Sequence, residues 1–166
     1  MDITESINQE TYTQLMDLAK SNGKVVAISE IGLDFLYGAP DRAVQYQAFR
    51  EQIRLARECQ LPIIFHSRES HPEVLRILRE EKAYECGGVM HYFQGDIRTA
   101  LQAIDLGFYI SFARPLMRLP ELQKVASDLS LSNIVLETDA TPQPFKKNRD
   151  SWTEPRHVRD IALTLS

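Results

Sequence analysis

Five short apolar runs alternate with amphipathic stretches of helical period along this chain, and that alternation leaves few folds open. The runs Lys24–Ser29, Leu61–Phe65, Gly88–Met90, Phe108–Ser111 and Asn133–Leu136 have the length and composition of strands. Between them Tyr46, Phe49, Ile53 and Ala56 recur at three- and four-residue steps, one apolar stripe able to face a sheet. Ser70-His71-Pro72-Glu73 fits a capping box that opens the next helix, and Asp96 fits the N-cap of a helix that stops at Gly107. Leu119–Leu129 and Glu154–Leu165 complete the helices, and Thr11–Ala19 precedes the first strand. Parallel neighbours need a crossover helix, so the order predicts a parallel α/β sheet, either an open doubly wound sheet or a (β/α) barrel. No G-x-G-x-x-G follows any strand, which removes the dinucleotide version of the first.

Polar residues gather where these runs end. The first run is followed by Glu30, with Gly32 expected to turn the chain; the second gives His66, Ser67 and Arg68; the third gives His91, the fourth Ser111, the fifth Glu137-Thr138-Asp139. Singly, each has an ordinary structural explanation. Together they stand out, because carboxyl ends of parallel strands converge on one face, and chance would scatter such residues over both ends. His71 and His157 lie near helix starts and are assigned no role. Imidazoles with carboxylates are a donor set for zinc, manganese and similar divalent ions. Glu30 has two oxygens and can bridge two ions, while Asp139 can bind metal and accept a proton from water, so the residue types point to metal-assisted hydrolysis.

Composition is consistent with this. A chain of 166 residues with 43% hydrophobic and 25% charged residues is expected to form one soluble domain, residues 1–166. No apolar run approaches a membrane span, the N-terminus has no signal-like layout, and Cys59 and Cys86 lack metal-motif spacing, so a reduced cytoplasmic location is expected. A net charge of −4 argues against a nucleic-acid-coating protein but leaves room for a local basic patch. Phe145-Lys146-Lys147-Asn148-Arg149, in the irregular stretch Thr141–Trp152, is such a patch: a polyanion contact through Lys146 and Lys147, or a solvated basic loop.

Four blocks, in order, resemble those of the TatD-type metal-dependent deoxyribonucleases: Ala27-Ile28-Ser29-Glu30-Ile31-Gly32-Leu33-Asp34, Leu61-Pro62-Ile63-Ile64-Phe65-His66-Ser67-Arg68, Gly88-Val89-Met90-His91-Tyr92-Phe93-Gln94-Gly95 and Leu136-Glu137-Thr138-Asp139-Ala140. The resemblance implies a TIM-like (β/α) barrel, two divalent ions (zinc, manganese or magnesium) and hydrolysis of phosphodiesters, with DNA as substrate. It implies that Glu30 is shared by both ions, that His66 and His91 hold the second, and that Asp139 holds the first and assists the attacking water. Glu137 would orient a ligand or pack beneath the site. Arg68 is suited to a substrate phosphate or to an ion pair with an acid.

Two departures qualify the resemblance. Members of that family begin with an H-x-H strand, absent here, and a full barrel runs to about 250 residues. The expectation is therefore an incomplete barrel, lacking its opening βαβ segment and its last unit, with one well-held ion and an open sheet edge inviting association. A related hydrolase of a small ester, amide or lactone, or a metal-binding chain without turnover, are the alternatives.

Overall fold

In a computed structural model, which describes residues 8–140, 148 and 152–165, five parallel strands form one sheet in the order β1-β2-β3-β4-β5. They are β1 (Ile28–Asp34), β2 (Ile63–Arg68), β3 (Gly88–Met90), β4 (Phe108–Phe112) and β5 (Ile134–Leu136). The helices are α1 (Gln9–Ser21), α2 (Arg42–Cys59), α3 (His71–Glu80), α4 (Ile97–Asp105), α5 (Pro120–Asp128) and α6 (Val158–Leu165). The strand order decides between the two expected architectures. A doubly wound sheet reverses order at a switch point and so places helices on both faces. Here each strand lies beside the next in sequence and the helices cover one face, which makes the molecule a sector of a (β/α) barrel.

Strand side chains alternate between faces, and the two faces differ sharply. Ile31, Leu33, Ile63, Phe65, Ile110 and Phe112 are all 0% exposed, sealed by Phe49 and Ile53 of α2, Ile77 and Leu78 of α3 and the alanines of α4. On the opposite wall Ile64, Val89 and Val135 are half-buried and Tyr109 is 47% exposed. This second wall carries His66, His91, Ser111 and Glu137. Among the described residues no helix is long and apolar enough to cross a membrane.

Several boundaries differ from the sequence expectation. β1 runs through Glu30 and Gly32 to Asp34, so Gly32 does not turn the chain and Glu30 lies within the strand. The reason is an irregularity: Ile28 pairs with Ile63 but Ile31 with Phe65, leaving Ser29 and Glu30 opposite one residue, as in a bulge. Beyond it Gln45 of α2 clamps the strand end, accepting from the Asp34 amide and donating to the Asp34 and Pro40 carbonyls, each at 2.8 Å. Asp96 caps α4 as expected, accepting from Thr99 N at 2.8 Å, and Gly107 (φ +84°) ends that segment. Ser70 does occupy the N-cap of α3, but its hydroxyl makes no capping bond; it donates to the Leu33 carbonyl at 2.9 Å, tying α3 to β1 instead.

On the outside, α2 is joined to the end of α3 by charge. Buried Glu81 accepts two bonds of 2.8 Å from Arg54 and one of 2.7 Å from Arg50. Burial alone would raise the Glu81 pKa, but these hydrogen bonds outweigh it and hold the carboxyl below its ordinary value. A folded pKa below the unfolded one contributes stability above the unfolded value and loses it as pH falls. Tm is therefore expected to fall on acidification below about pH 4.5. Glu81→Gln should flatten that fall while costing about 1–3 kcal/mol at neutral pH, both measurable by thermal denaturation across pH.

Candidate metal centre

Register delivers the donors. Gly32 pairs with His66 and Asp34 with Arg68, and the His91 amide donates to the Phe65 carbonyl at 2.9 Å, continuing the ladder. The irregularity in β1 sets Glu30 beside them. Its Oε1 lies 3.5 Å from His66 Nδ1 and 3.5 Å from His91 Nε2. A tetrahedral ion with ligands at 2.0–2.1 Å spaces them about 3.3–3.4 Å apart, so these are ligand-edge separations. Among the described residues no three His, Cys, Asp or Glu side chains already close around a single point. Glu30, whose side chain is 47% exposed, has the freedom to swing inward.

Each histidine has a carboxylate behind it. His91 Nδ1 lies 2.9 Å from Glu137 Oε2, and Ser111 Oγ donates to that same oxygen at 2.5 Å. Glu137 Oε1 also lies 2.9 Å from Nδ1, but off the hydrogen-bond direction, and is buried without a hydrogen-bond partner among the described residues. His66 Nε2 lies 3.5 Å from Asp34 Oδ2. The far nitrogen of His91 is thus hydrogen-bonded and that of His66 lies within ion-pair reach of Asp34, with Nδ1 of His66 and Nε2 of His91 toward Glu30. Burial lowers the His66 pKa despite the charges of Glu30 and Asp34. Burial also opposes protonation of His91, but the Glu137 hydrogen bond and charge outweigh it and raise that pKa.

Asp139 is exposed, has φ +48°, and lines the same cavity as Glu30, His66 and His91. Its charge reaches His91. The structure thus brings together all four expected ligands, with Asp139 at the rim. Of the two roles open to Arg68, the structure shows the ion pair: Nε donates to Asp34 Oδ1 at 3.1 Å and Nη2 bonds Oδ2. Lys146 and Lys147 lie outside the described residues. Sequence reasoning missed Asp34 as the partner of His66, although its position four residues beyond Glu30 signalled it. It also set aside His71, whose Nδ1 lies 2.7 Å from Ser67 Oγ at the cavity wall; the four-residue spacing within Ser67–His71 was the available signal.

A family model described as TatD related DNase matches residues 1–166. The chain belongs to this family. It is 38% identical over 171 residues to the uncharacterized metal-dependent hydrolase YabD of Bacillus subtilis, covering 100% of this chain and 64% of that protein. To the uncharacterized metal-dependent hydrolase YcfH of Escherichia coli K12 it is 38% identical over 150 residues, covering 89% of this chain and 56% of the relative. The crystal structure of YjjV, a TatD homologue from Escherichia coli K12, superimposes with a TM-score of 0.83 at 28% identity, over 95% of this chain and 62% of that one. The chain therefore spans less than two thirds of the length of each.

Donor chemistry and the spacing of Glu30 from each histidine fit one divalent ion at Glu30, His66 and His91, and the carboxylate hydrogen-bonded behind His91 suits an oriented imidazole ligand. Gly32 makes this geometry possible. At φ +130°, a Cβ there would lie 2.0 Å from the His66 carbonyl oxygen. Gly32→Ala should force β1 from β2, lowering stability by more than about 1 kcal/mol and weakening metal binding together, as read by denaturation and metal titration.

Proposed function

We propose that this cluster serves metal-dependent hydrolysis of phosphodiester bonds, with DNA as the substrate. The observation that carries it is Glu30 Oε1 standing 3.5 Å from both His66 Nδ1 and His91 Nε2, on one wall of the cleft that Asp139 also lines. When bound there, a divalent ion supplies a Lewis acid and brings the pKa of water toward neutrality. The protein groups divide the remaining work. Glu137, itself bonded by Ser111, orients the His91 ring, Asp34 sets a carboxylate charge beside His66, and Asp139 at the rim takes the proton released by water. Glu30 with Asp139 alone offers two oxygen donors for a second ion, a weaker set than the first.

The cleft favours an extended substrate. Its volume of about 1280 Å³ exceeds the roughly 300–1,000 Å³ of small-molecule pockets. The matching family is also described by its DNases. With Arg68 held by Asp34, phosphate contacts fall to other cations, Lys146 and Lys147 among them.

Elemental analysis after dialysis should find close to one ion per chain. His66→Ala or His91→Ala should abolish that binding, and Glu137→Gln should weaken it by about 10–100-fold. The phosphodiester assignment is tested by a panel of single- and double-stranded DNA, bis-aryl phosphates, carboxyl esters and lactones. Turnover confined to esters or lactones would remove it, and two tightly held ions would remove the one-ion site. Replacing Lys146 and Lys147 by Ala should reduce the salt slope of DNA binding by about 1.4–1.8; an unchanged slope would mean the loop is merely solvated.

A further inference from the structure

His71 opens α3 on the wall of the cleft, half-buried, and its ring is held from two sides. One face stacks on Phe93, with centroids 6.2 Å apart and planes 15° apart, and Nδ1 lies 2.7 Å from Ser67 Oγ. Ser67 is next to His66, and Phe93 lies two residues past His91. The imidazole is therefore fixed between the ends of the two paired strands that carry those histidines. Ser67 Oγ is in turn 3.2 Å from Ser70 Oγ, and Ser70 has given its own hydrogen to the Leu33 carbonyl at 2.9 Å. Ser67 must then be the donor to Ser70, which leaves it no hydrogen for the ring. The 2.7 Å bond runs from His71 Nδ1–H to Ser67, and the chain of donors ends on the backbone of β1.

That chain decides which nitrogen exchanges a proton. With Nδ1 keeping its hydrogen, the ring gains and loses a proton at Nε2, which has no hydrogen-bond partner among the described residues. Gly95 keeps it uncovered. A Cβ there would stand 3.2 Å from His71 Nε2 and 2.8 Å from the Phe93 ring. Gly95 also lines the cleft, and it has no positive φ that would itself call for glycine. An imidazole fixed in one tautomer through its far nitrogen is the arrangement that acid–base catalysis uses. The proposed hydrolysis leaves one such task unassigned: Asp139 takes the proton of water, and the departing oxygen of an alkyl diester needs one as well.

We propose that His71 is the proton donor to the leaving oxygen, with Ser67 and Ser70 as its positioning residues. This rests on the phosphodiester reading and extends it to the second half of the reaction. As the oxygen of water bonds to phosphorus, one proton of that water passes to Asp139. The bond from phosphorus to the leaving oxygen breaks with its electron pair on that oxygen, which takes the Nε2 proton of the imidazolium. The ring is left neutral with its hydrogen on Nδ1, the form bonded to Ser67. Nε2 then regains a proton from solvent as Asp139 gives one up. Asp139 follows β5 and His71 follows β2, with β3 and β4 between them, so base and acid stand apart as an in-line displacement requires.

Two measurements test this. On the metal-free chain, long-range proton–nitrogen correlation NMR of the neutral His71 ring should show the Nδ1–H tautomer, and Ser67→Ala should return it to the Nε2–H tautomer that free histidine favours. An Nε2–H ring in the wild type would overturn the proposal. On the metal-loaded chain, His71→Gln and His71→Ala should each lower kcat on a thymidine dinucleotide, whose leaving alkoxide needs a proton, by about 100-fold. On bis(para-nitrophenyl) phosphate, whose phenolate departs without one, both variants should stay within about threefold of the wild type. Tm and metal content of each variant are measured alongside, so that loss of fold or of the ion is seen directly. Equal losses on the two substrates, or none on the dinucleotide, would overturn the proton donor while the phosphodiester reading stands. If the wild type cleaves only carboxyl esters, that reading falls, and the same alkyl-against-aryl comparison on esters decides His71. If the wild type cleaves nothing, both fall.

Discussion

The close approach of β1 to β2 at Gly32 is the constraint on which the rest depends. There the backbone of one strand lies where a side-chain carbon would stand, against the His66 carbonyl. That contact holds Asp34 opposite Arg68 and Gly32 opposite His66. The extra residue just before it lets Glu30 join the same wall. A regular strand ending at Ser29 would have left Glu30 in a turn, pointing wherever solvent allowed. The acid is useful because the strand is irregular, and the irregular strand is held because α2 clamps its end through Gln45.

Stability and chemistry are assigned to opposite faces of one sheet. The helix-facing wall buries large apolar side chains completely and supplies most of the hydrophobic free energy. The other wall places imidazoles and carboxylates side by side, which costs free energy unless each is matched. Matching is done in pairs: Glu137 with His91 and Ser111, Asp34 with Arg68 and His66. Each pairing uses the nitrogen or oxygen away from Glu30, so the compensation leaves the donors facing the cleft available.

The alternation of strands and helices was legible in the sequence, and so were the polar residues at the strand ends, because apolar period and polar run ends are local signals; the strand order, which separates a barrel sector from a doubly wound sheet, was not. What was not legible depends on register. Nothing local distinguishes Arg68 as an ion-pair partner of Asp34 from Arg68 as a phosphate contact; the answer is that residue 68 pairs with residue 34 across two strands. The same holds for Ser70, whose capping-box pattern is genuine but whose hydroxyl finds the Leu33 carbonyl of a distant strand instead of its own helix. Glu30 shows the converse: its identity was visible, its place inside a strand was not, since an irregularity of one residue leaves no mark in apolar period.

The charge around the cleft bears on how substrate and ion depend on each other. Glu30, Asp34, Glu137 and Asp139 are four carboxylates at one end of the sheet, and Arg68 offsets one of them. A phosphodiester approaching this acidic group alone meets repulsion, in a chain whose net charge is already −4. On the proposed reading, a bound divalent ion reverses the local sign, because such an ion is the largest charge in its site. Phosphate affinity at the cluster is then conditional on the ion, and by linkage the ion is held more tightly when phosphate is present.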